Sequence, residues 1–232
     1  MSRILSVADI ITIINAVLGF LALLMVFSGQ LQIAASLILL GLLTDGLDGM
    51  VARRMRKSRI GEYLEAIADM VSLSVAPLVL LYIIYYDTVF SQLYLHLFLG
   101  IVLVFSFICS IIRLSSFSLF KQKEFFLGLP TSASAIFLVS LSFLKPDVLY
   151  VLPVIIVFSL GMISSILFPK PGLKVNLVAA VFIIATIVLG GMYDNIASIL
   201  LLAALFSYII FGPLYLFYKK RSHGIETEDT HN

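Results

Sequence analysis

Charge is scarce in this chain. Only 12% of its 232 residues are Asp, Glu, Lys or Arg, while 61% are hydrophobic and the mean hydropathy is +1.13. A soluble domain of that size needs far more polar surface, so the chain reads as an integral membrane protein. Apolar–polar alternation over strand lengths is missing, which argues against a membrane barrel. Cysteine occurs once, at Cys109, and excludes an intramolecular disulfide. Histidine is limited to His96, His223 and His231, the last two in a polar tail, and none reads as a ligand. A small-residue cleavage site is missing after the first apolar run, which therefore reads as a retained span. The paired broken helices with mid-membrane charges of a transporter are missing too. The net charge of +2 is close to balance, and no nucleic-acid partner is expected.

What is present is a series of apolar runs long enough to span a bilayer as helices. Eight are expected, at 8–28, 31–52, 62–86, 91–117, 129–145, 149–168, 175–193 and 195–218. The expected architecture is all-α: a six-helix core over 1–174, a further hairpin over 175–218 and a disordered tail over 219–232. Tyr82, Tyr85, Tyr86, Tyr215 and Tyr218 fall near span ends and read as interfacial anchors. With a cytoplasmic N-terminus, fourteen of the fifteen basic residues fall on the cytoplasmic side, and only Lys145 lies opposite. That is a strong positive-inside pattern. Both termini are then cytoplasmic.

The exception to the apolar background is DGLDGMVARRMRKSRIGEYLEAIAD, from Asp45 to Asp69. Ionisable groups at or inside a hydrocarbon layer are costly and mark functional sites. Asp45 and Asp48 are three residues apart, and Glu65 and Asp69 four apart, so each pair shares a helix face. A single such acid would pass as a helix cap, or as half of an ion pair with Arg53 or Arg54. Two facing pairs bracketed by glycines instead predict a common point of four carboxylates, which would repel unless neutralised. A hard divalent cation, Mg²⁺ or Mn²⁺, suits such an all-oxygen set. The basic turn RRMRKSR also serves as an orientation signal beneath anionic lipid. Arg53 stands one turn beyond Gly49, a planar guanidinium fork next to a position without a side chain.

Two other stretches carry polar groups. In the first span Asp9, Thr12, Asn15 and Gly19 share a broad face. They read either as an N-cap, a back-bonded Thr and a packing seam, or as ligand contacts. Later, RLSSFSLFKQKEFFLGLPTSASA runs from Arg113 to Ala135. Alone it reads as a loop with a Gly-x-Pro break preceding a small-residue helix interface.

The run Asp45-x-x-Asp48-Gly49-x-x-Ala52-Arg53, with Gly61-x-x-x-Glu65-x-x-x-Asp69 after it, resembles the signature of the CDP-alcohol phosphotransferases, membrane enzymes of phospholipid synthesis. It departs at Glu65, where the family has Asp and the carboxylate sits one methylene closer to the backbone. The Arg-Leu-x-x-Phe ending at Arg113–Phe117, the Phe-x-Gly-Leu-Pro run and the LFPKPGLK loop look like the branch that makes phosphatidylserine or, in archaea, archaetidylserine. The resemblance implies transfer of a phosphatidyl-type group from CDP-diacylglycerol or CDP-archaeol to L-serine, releasing CMP, in the cell membrane by a homodimer. It implies metal ligation by Asp45, Asp48, Glu65 and Asp69, with Asp69 as general base. CDP-lipid contacts fall on Asp9, Thr12, Gly49, Arg53 and Ser58, and acceptor contacts on Arg113, Gly128 and Pro130. Two alternatives stay open. One is a phosphorylated acceptor such as glycerol 3-phosphate or inositol phosphate, for which Lys121 and Lys123 offer charge. The other is a non-catalytic lipid-binding relative, motivated by Glu65.

Overall fold

The computed structural model describes residues 6–54, 58, 60–116, 125–190, 192 and 195–223, with the side chains at 48–54, 174 and 219–223 excepted. Its helices are α1 (Val7–Phe27), α2 (Leu31–Arg54), α3 (Gly61–Asp69), α4 (Ala76–Phe90), α5 (Leu93–Ser116), α6 (Thr131–Leu144), α7 (Val148–Met162), α8 (Leu173–Leu189) and α9 (Ile196–His223). A π-helical segment, Met70–Val75, joins α3 to α4, so the two make one rod from Gly61 to Phe90. These rods are the eight expected spans. Val7–Phe27, Gly61–Phe90, Leu93–Ser116 and Ile196–Tyr218 are long and apolar enough to cross a membrane. Large apolar side chains such as Phe20, Ile101, Val181 and Phe211 are exposed along the bundle, where a lipid solvent favours them.

Helix α6 shows why shorter rods suffice elsewhere. Its fourteen residues rise only about 21 Å, less than the roughly 30 Å of a hydrocarbon core. Ten of them are buried, so protein rather than lipid surrounds the helix. One face joins a core with α4, α5 and α7 around Leu81, Leu99, Leu152 and Ile155. The other reaches, through Val139, a second core with α1, α2 and the π segment around Ile38, Leu39, Leu73 and Leu80. Helix α9 also packs against α6, and α8 against α2, so the C-terminal hairpin shares the interior of the bundle.

Three expectations are corrected. The sixth helix stops at Met162 rather than near 168, because Leu167–Pro169 (β2) pairs antiparallel with Phe125–Leu127 (β1), Phe126 opposite Phe168. Two short strands thus cap an otherwise helical molecule. The last helix continues past Tyr218 to His223, into the stretch expected to be a disordered tail; residues 224–232 lie outside the described residues. Finally, Tyr85 ties elements together inside the bundle rather than standing at its surface as an anchor. Tyr85 is buried and donates from its hydroxyl to Pro146 O at 2.6 Å. The Tyr82 hydroxyl lies 2.9 Å from His96 Nε2, in a cluster with Tyr86 and Phe90.

Candidate active site

The site begins where three rods meet. Helix α1 packs against α2, α3 and the π segment, and small residues make the approach close. A Cβ on Gly19 would sit 2.5 Å from Ser72 Cα, so no other residue fits without moving the π segment. A Cβ on Gly41 of α2 would stand 3.0 Å from Asn15 Oδ1 and 3.5 Å from Ser72 Cβ. This contact fixes how the acidic end of α2 and the acid-bearing α3 stand relative to α1.

On that frame the acids fall at one end of the bundle. Asp45 comes directly after Thr44, whose Oγ1 donates to Gly41 O at 2.7 Å, and is half-buried on α2. Glu65 and Asp69 are half-buried on α3, and Asp69 is its last residue before the π segment. Asn15 Nδ2 of α1 donates to Asp69 Oδ1 at 3.0 Å. Asp48 and Gly49 lie on the last turns of α2 with Arg53, but the side chains of Asp48 and Arg53 are outside the described residues. The donor set is carboxylate oxygen, the chemistry a hard divalent cation takes. Among the described residues no three of His, Cys, Asp and Glu are already gathered as a ligand set.

Beside the acids, the start of α3 collects other candidates. A Cβ on Gly61 would lie 3.0 Å from Asp9 Oδ1 and 3.4 Å from Ser58 Oγ, so the Asp9 carboxylate and the Ser58 hydroxyl border the same glycine. Ser58 Oγ is itself buried and has no hydrogen-bond partner among the described residues, which suits a hydroxyl meant for a ligand. Asp9 is buried and closes a capping box: Ser6 is the N-cap, Ser6 N donates to the Asp9 carboxylate, and Asp9 N donates to Ser6 Oγ at 3.3 Å. Asp9 is thus the third residue of the helix, not its cap. Thr12 Oγ1 donates to Ala8 O at 3.1 Å, the back-bond expected of a Thr within a helix.

The Arg113–Ala135 stretch forms a second assembly. The rod Gly61–Phe90 leads away from the acids and α5 returns antiparallel against it, packing on α3 and the π segment. This returns Arg113 to the acidic end. Arg113 is buried, and its Nε donates to Leu129 O at 3.2 Å. Gly128 adopts φ +78°, its N–H donates to Ile166 O at 2.8 Å, and a Cβ there would run into Met162 O. The next N–H, of Leu129, donates to Gly161 O at 2.8 Å. Pro130, with φ −62° and ψ 143°, then caps α6. Phe117, Lys121 and Lys123 lie outside the described residues.

Two contributors were not legible from the motifs. Asn15 was visible on the polar face of α1, but nothing in the sequence ties it to Asp69. Tyr208 of α9 donates to Pro169 O at 3.0 Å, and α9 packs against β2. The last helix therefore braces the second assembly, which no motif announced.

Comparison with known proteins agrees in extent with this architecture. A family model described as CDP-alcohol phosphatidyltransferase matches residues 5–210. An archaetidylserine synthase of Methanothermobacter thermautotrophicus is 31% identical over 172 residues, 72% of this chain and 70% of the relative. A CDP-diacylglycerol–serine O-phosphatidyltransferase of Methanocaldococcus jannaschii is 34% identical over 169 residues, 72% and 76% of the two chains. An enzyme of the same name from Saccharomyces cerevisiae is 31% identical over 201 residues, 74% and 73% of the two chains.

Proposed function

The chain belongs to the CDP-alcohol phosphatidyltransferase family, and from that premise we propose that it transfers a diacylglycerol- or archaeol-bearing phosphoryl group from a CDP-lipid to the hydroxyl of L-serine. The products are a phosphoserine lipid and CMP. The observation that carries the reading is the convergence of α1, α2 and α3, which brings Asp69 against Asn15 and Asp9 against Gly61 at the acidic end of the bundle.

Asp45, Asp48, Glu65 and Asp69 would hold Mg²⁺ or Mn²⁺, which when bound neutralises the diphosphate and polarises its phosphoryl oxygens. Arg53 adds positive charge beside the diphosphate. Gly49 admits the ligand's close approach, and Asp9, Thr12 and Ser58 border the nucleotide. The serine hydroxyl oxygen bonds to the lipid-bearing phosphorus while Asp69 accepts its proton. The bond from that phosphorus to the CMP oxygen breaks, and CMP leaves with the electron pair. Arg113, with the turn at Gly128 and Pro130, borders the acceptor; a buried guanidinium suits the carboxylate of serine. The lipid chains stay in the bilayer between helices. The acidic end faces the cytoplasm of the cell membrane, as the basic residues direct, and the enzyme acts as a homodimer.

The test is CMP release by purified protein in detergent, with a CDP-lipid and Mg²⁺ or Mn²⁺. L-serine, glycerol 3-phosphate and inositol phosphate are supplied separately. Serine-dependent release that disappears in Asp69→Asn and on chelation supports the reading. Release with a phosphorylated acceptor alone keeps the site and replaces the substrate; Lys121 and Lys123 motivate this arm, and Lys170, whose Nζ stands 5.0 Å from the Phe126 ring centroid, is a further cation beside the second assembly.

A second reading, a non-catalytic lipid-binding relative, rests on Glu65. It predicts that the unaltered protein binds CDP-lipid without turnover and that Glu65→Asp gains activity. Robust turnover by the unaltered protein rejects it.

A further inference from the structure

Asn15 is fully buried on α1, and its amide is used on one side only. Nδ2 donates to Asp69 Oδ1 at 3.0 Å, whereas Oδ1 faces Gly41 and is buried with no hydrogen-bond partner among the described residues. An ionised carboxylate only accepts hydrogen bonds, so the NH₂ side of the amide belongs toward Asp69. The orphaned oxygen is a cost to the fold, since a buried acceptor has lost its water and gained nothing. An apolar side chain in the same seat would carry no such cost. Stability alone is therefore a poor reason for an amide at this position.

The surroundings point the same way. Gly41 leaves room for the amide, and Gly19 lets the π segment come within contact of α1. That segment begins at Met70, directly after Asp69. A π turn inside an α-helix inserts a residue and rotates the helix on its N-terminal side relative to the helix on its C-terminal side, and such turns recur at functional sites. Asp69 thus sits directly before a change of helical register, and the Asn15 bond ties one of its carboxylate oxygens to α1. Ser72, in the π segment, is held separately by its own bond to Ala68 O at 3.0 Å.

We infer that Asn15 is a positioning residue: its amide holds one oxygen of Asp69 so that the carboxylate is presented to the reacting acceptor hydroxyl in one orientation. The inference rests on the proposed role of Asp69 as proton acceptor. It concerns orientation of the base and not binding of either substrate, so its signature is a loss in kcat with both KM values kept.

Asn15→Leu and Asn15→Ala both remove the donor, one by filling the seat and one by emptying it. Each is purified in detergent beside the unaltered protein and Asp69→Asn, and kcat, both KM values and the thermal unfolding midpoint are measured. The expected result is a fall in kcat of about 100-fold, with KM for CDP-lipid and serine kept within about threefold. The unfolding midpoint of the better-packed variant is expected to equal or exceed that of the unaltered protein. A kcat within about threefold of normal, a loss confined to KM, or failure of both variants to fold would overturn the inference. If Asp69→Asn turns over normally, or the unaltered protein does not turn over, the reading of Asp69 falls first. If Asp69→Asn is inactive and the Asn15 variants are normal, only the role of Asn15 falls.

Discussion

The two polar assemblies at the acidic end are built in opposite ways. In the first, over 45–69, the message is carried by side chains: acids at helical spacing, of which Asp45, Glu65 and Asp69 are half-buried, on rods that α1 holds together. In the second, over 113–135, it is carried by the backbone. A left-handed glycine, two short strands and successive N–H bonds from Gly128 and Leu129 shape the turn, and the buried Arg113 bonds a main-chain carbonyl there. Half-buried carboxylates can be reached by a ligand, whereas a turn held by backbone bonds sets shape. Substitutions in the first assembly should cost turnover and spare stability. Those in the second should cost stability or acceptor affinity and spare the nucleotide end.

The largest expected separation is at Asp45. Asp45→Asn keeps size and removes charge, so turnover should fall about 10³-fold, near 4 kcal/mol in the barrier, while the unfolding midpoint barely moves. A variant that melts early would make the acid a structural group and break the contrast. Gly128→Ala comes next and should act in reverse. Its φ of +78° and the collision of a Cβ with Met162 O predict a destabilisation of about 2–3 kcal/mol, read as a lower unfolding midpoint. Unchanged melting would mean that the turn relaxes freely.

Smaller effects sharpen the comparison. Arg113→Lys removes the Nε donor and the planar fork, and should raise KM for serine about tenfold, near 1.4 kcal/mol, without altering KM for CDP-lipid. A parallel rise in both would join the two assemblies into one binding unit. Tyr208→Phe removes a single hydroxyl bonded to Pro169 O, and should cost about 0.6–1 kcal/mol of stability. Its value lies in showing whether α9 supports the second assembly, with no change expected in turnover.

The eight rods were legible because burial in lipid is a local requirement: each span must be apolar and must satisfy its own backbone, whatever its neighbours do. The acids were legible for a similar reason, since helical spacing alone puts Asp45 with Asp48 and Glu65 with Asp69 on shared faces. The strand pair was not, because Phe125–Leu127 and Leu167–Pro169 are three-residue segments with no periodicity of their own. They become strands only when α6 and α7 bring them side by side. The same local view carries the sixth span on to 168: LFP is apolar enough for a helix and is claimed by pairing instead.

The amino-acid sequence by itself determined the membrane setting, the number and order of the rods and the chemistry of the acidic stretch. Composition and helical period act within a few turns of chain, so no partner is needed to read them. Only the tertiary structure decided which side chain holds Asp69, where the π segment falls, and that α9 reaches the Arg113 turn. The link from Asn15 to Asp69 spans 54 residues and that from Pro169 to Tyr208 spans 39. Contacts of such separation depend on how whole rods pack, on glycines that allow a close approach and on the burial that makes each remaining polar bond count.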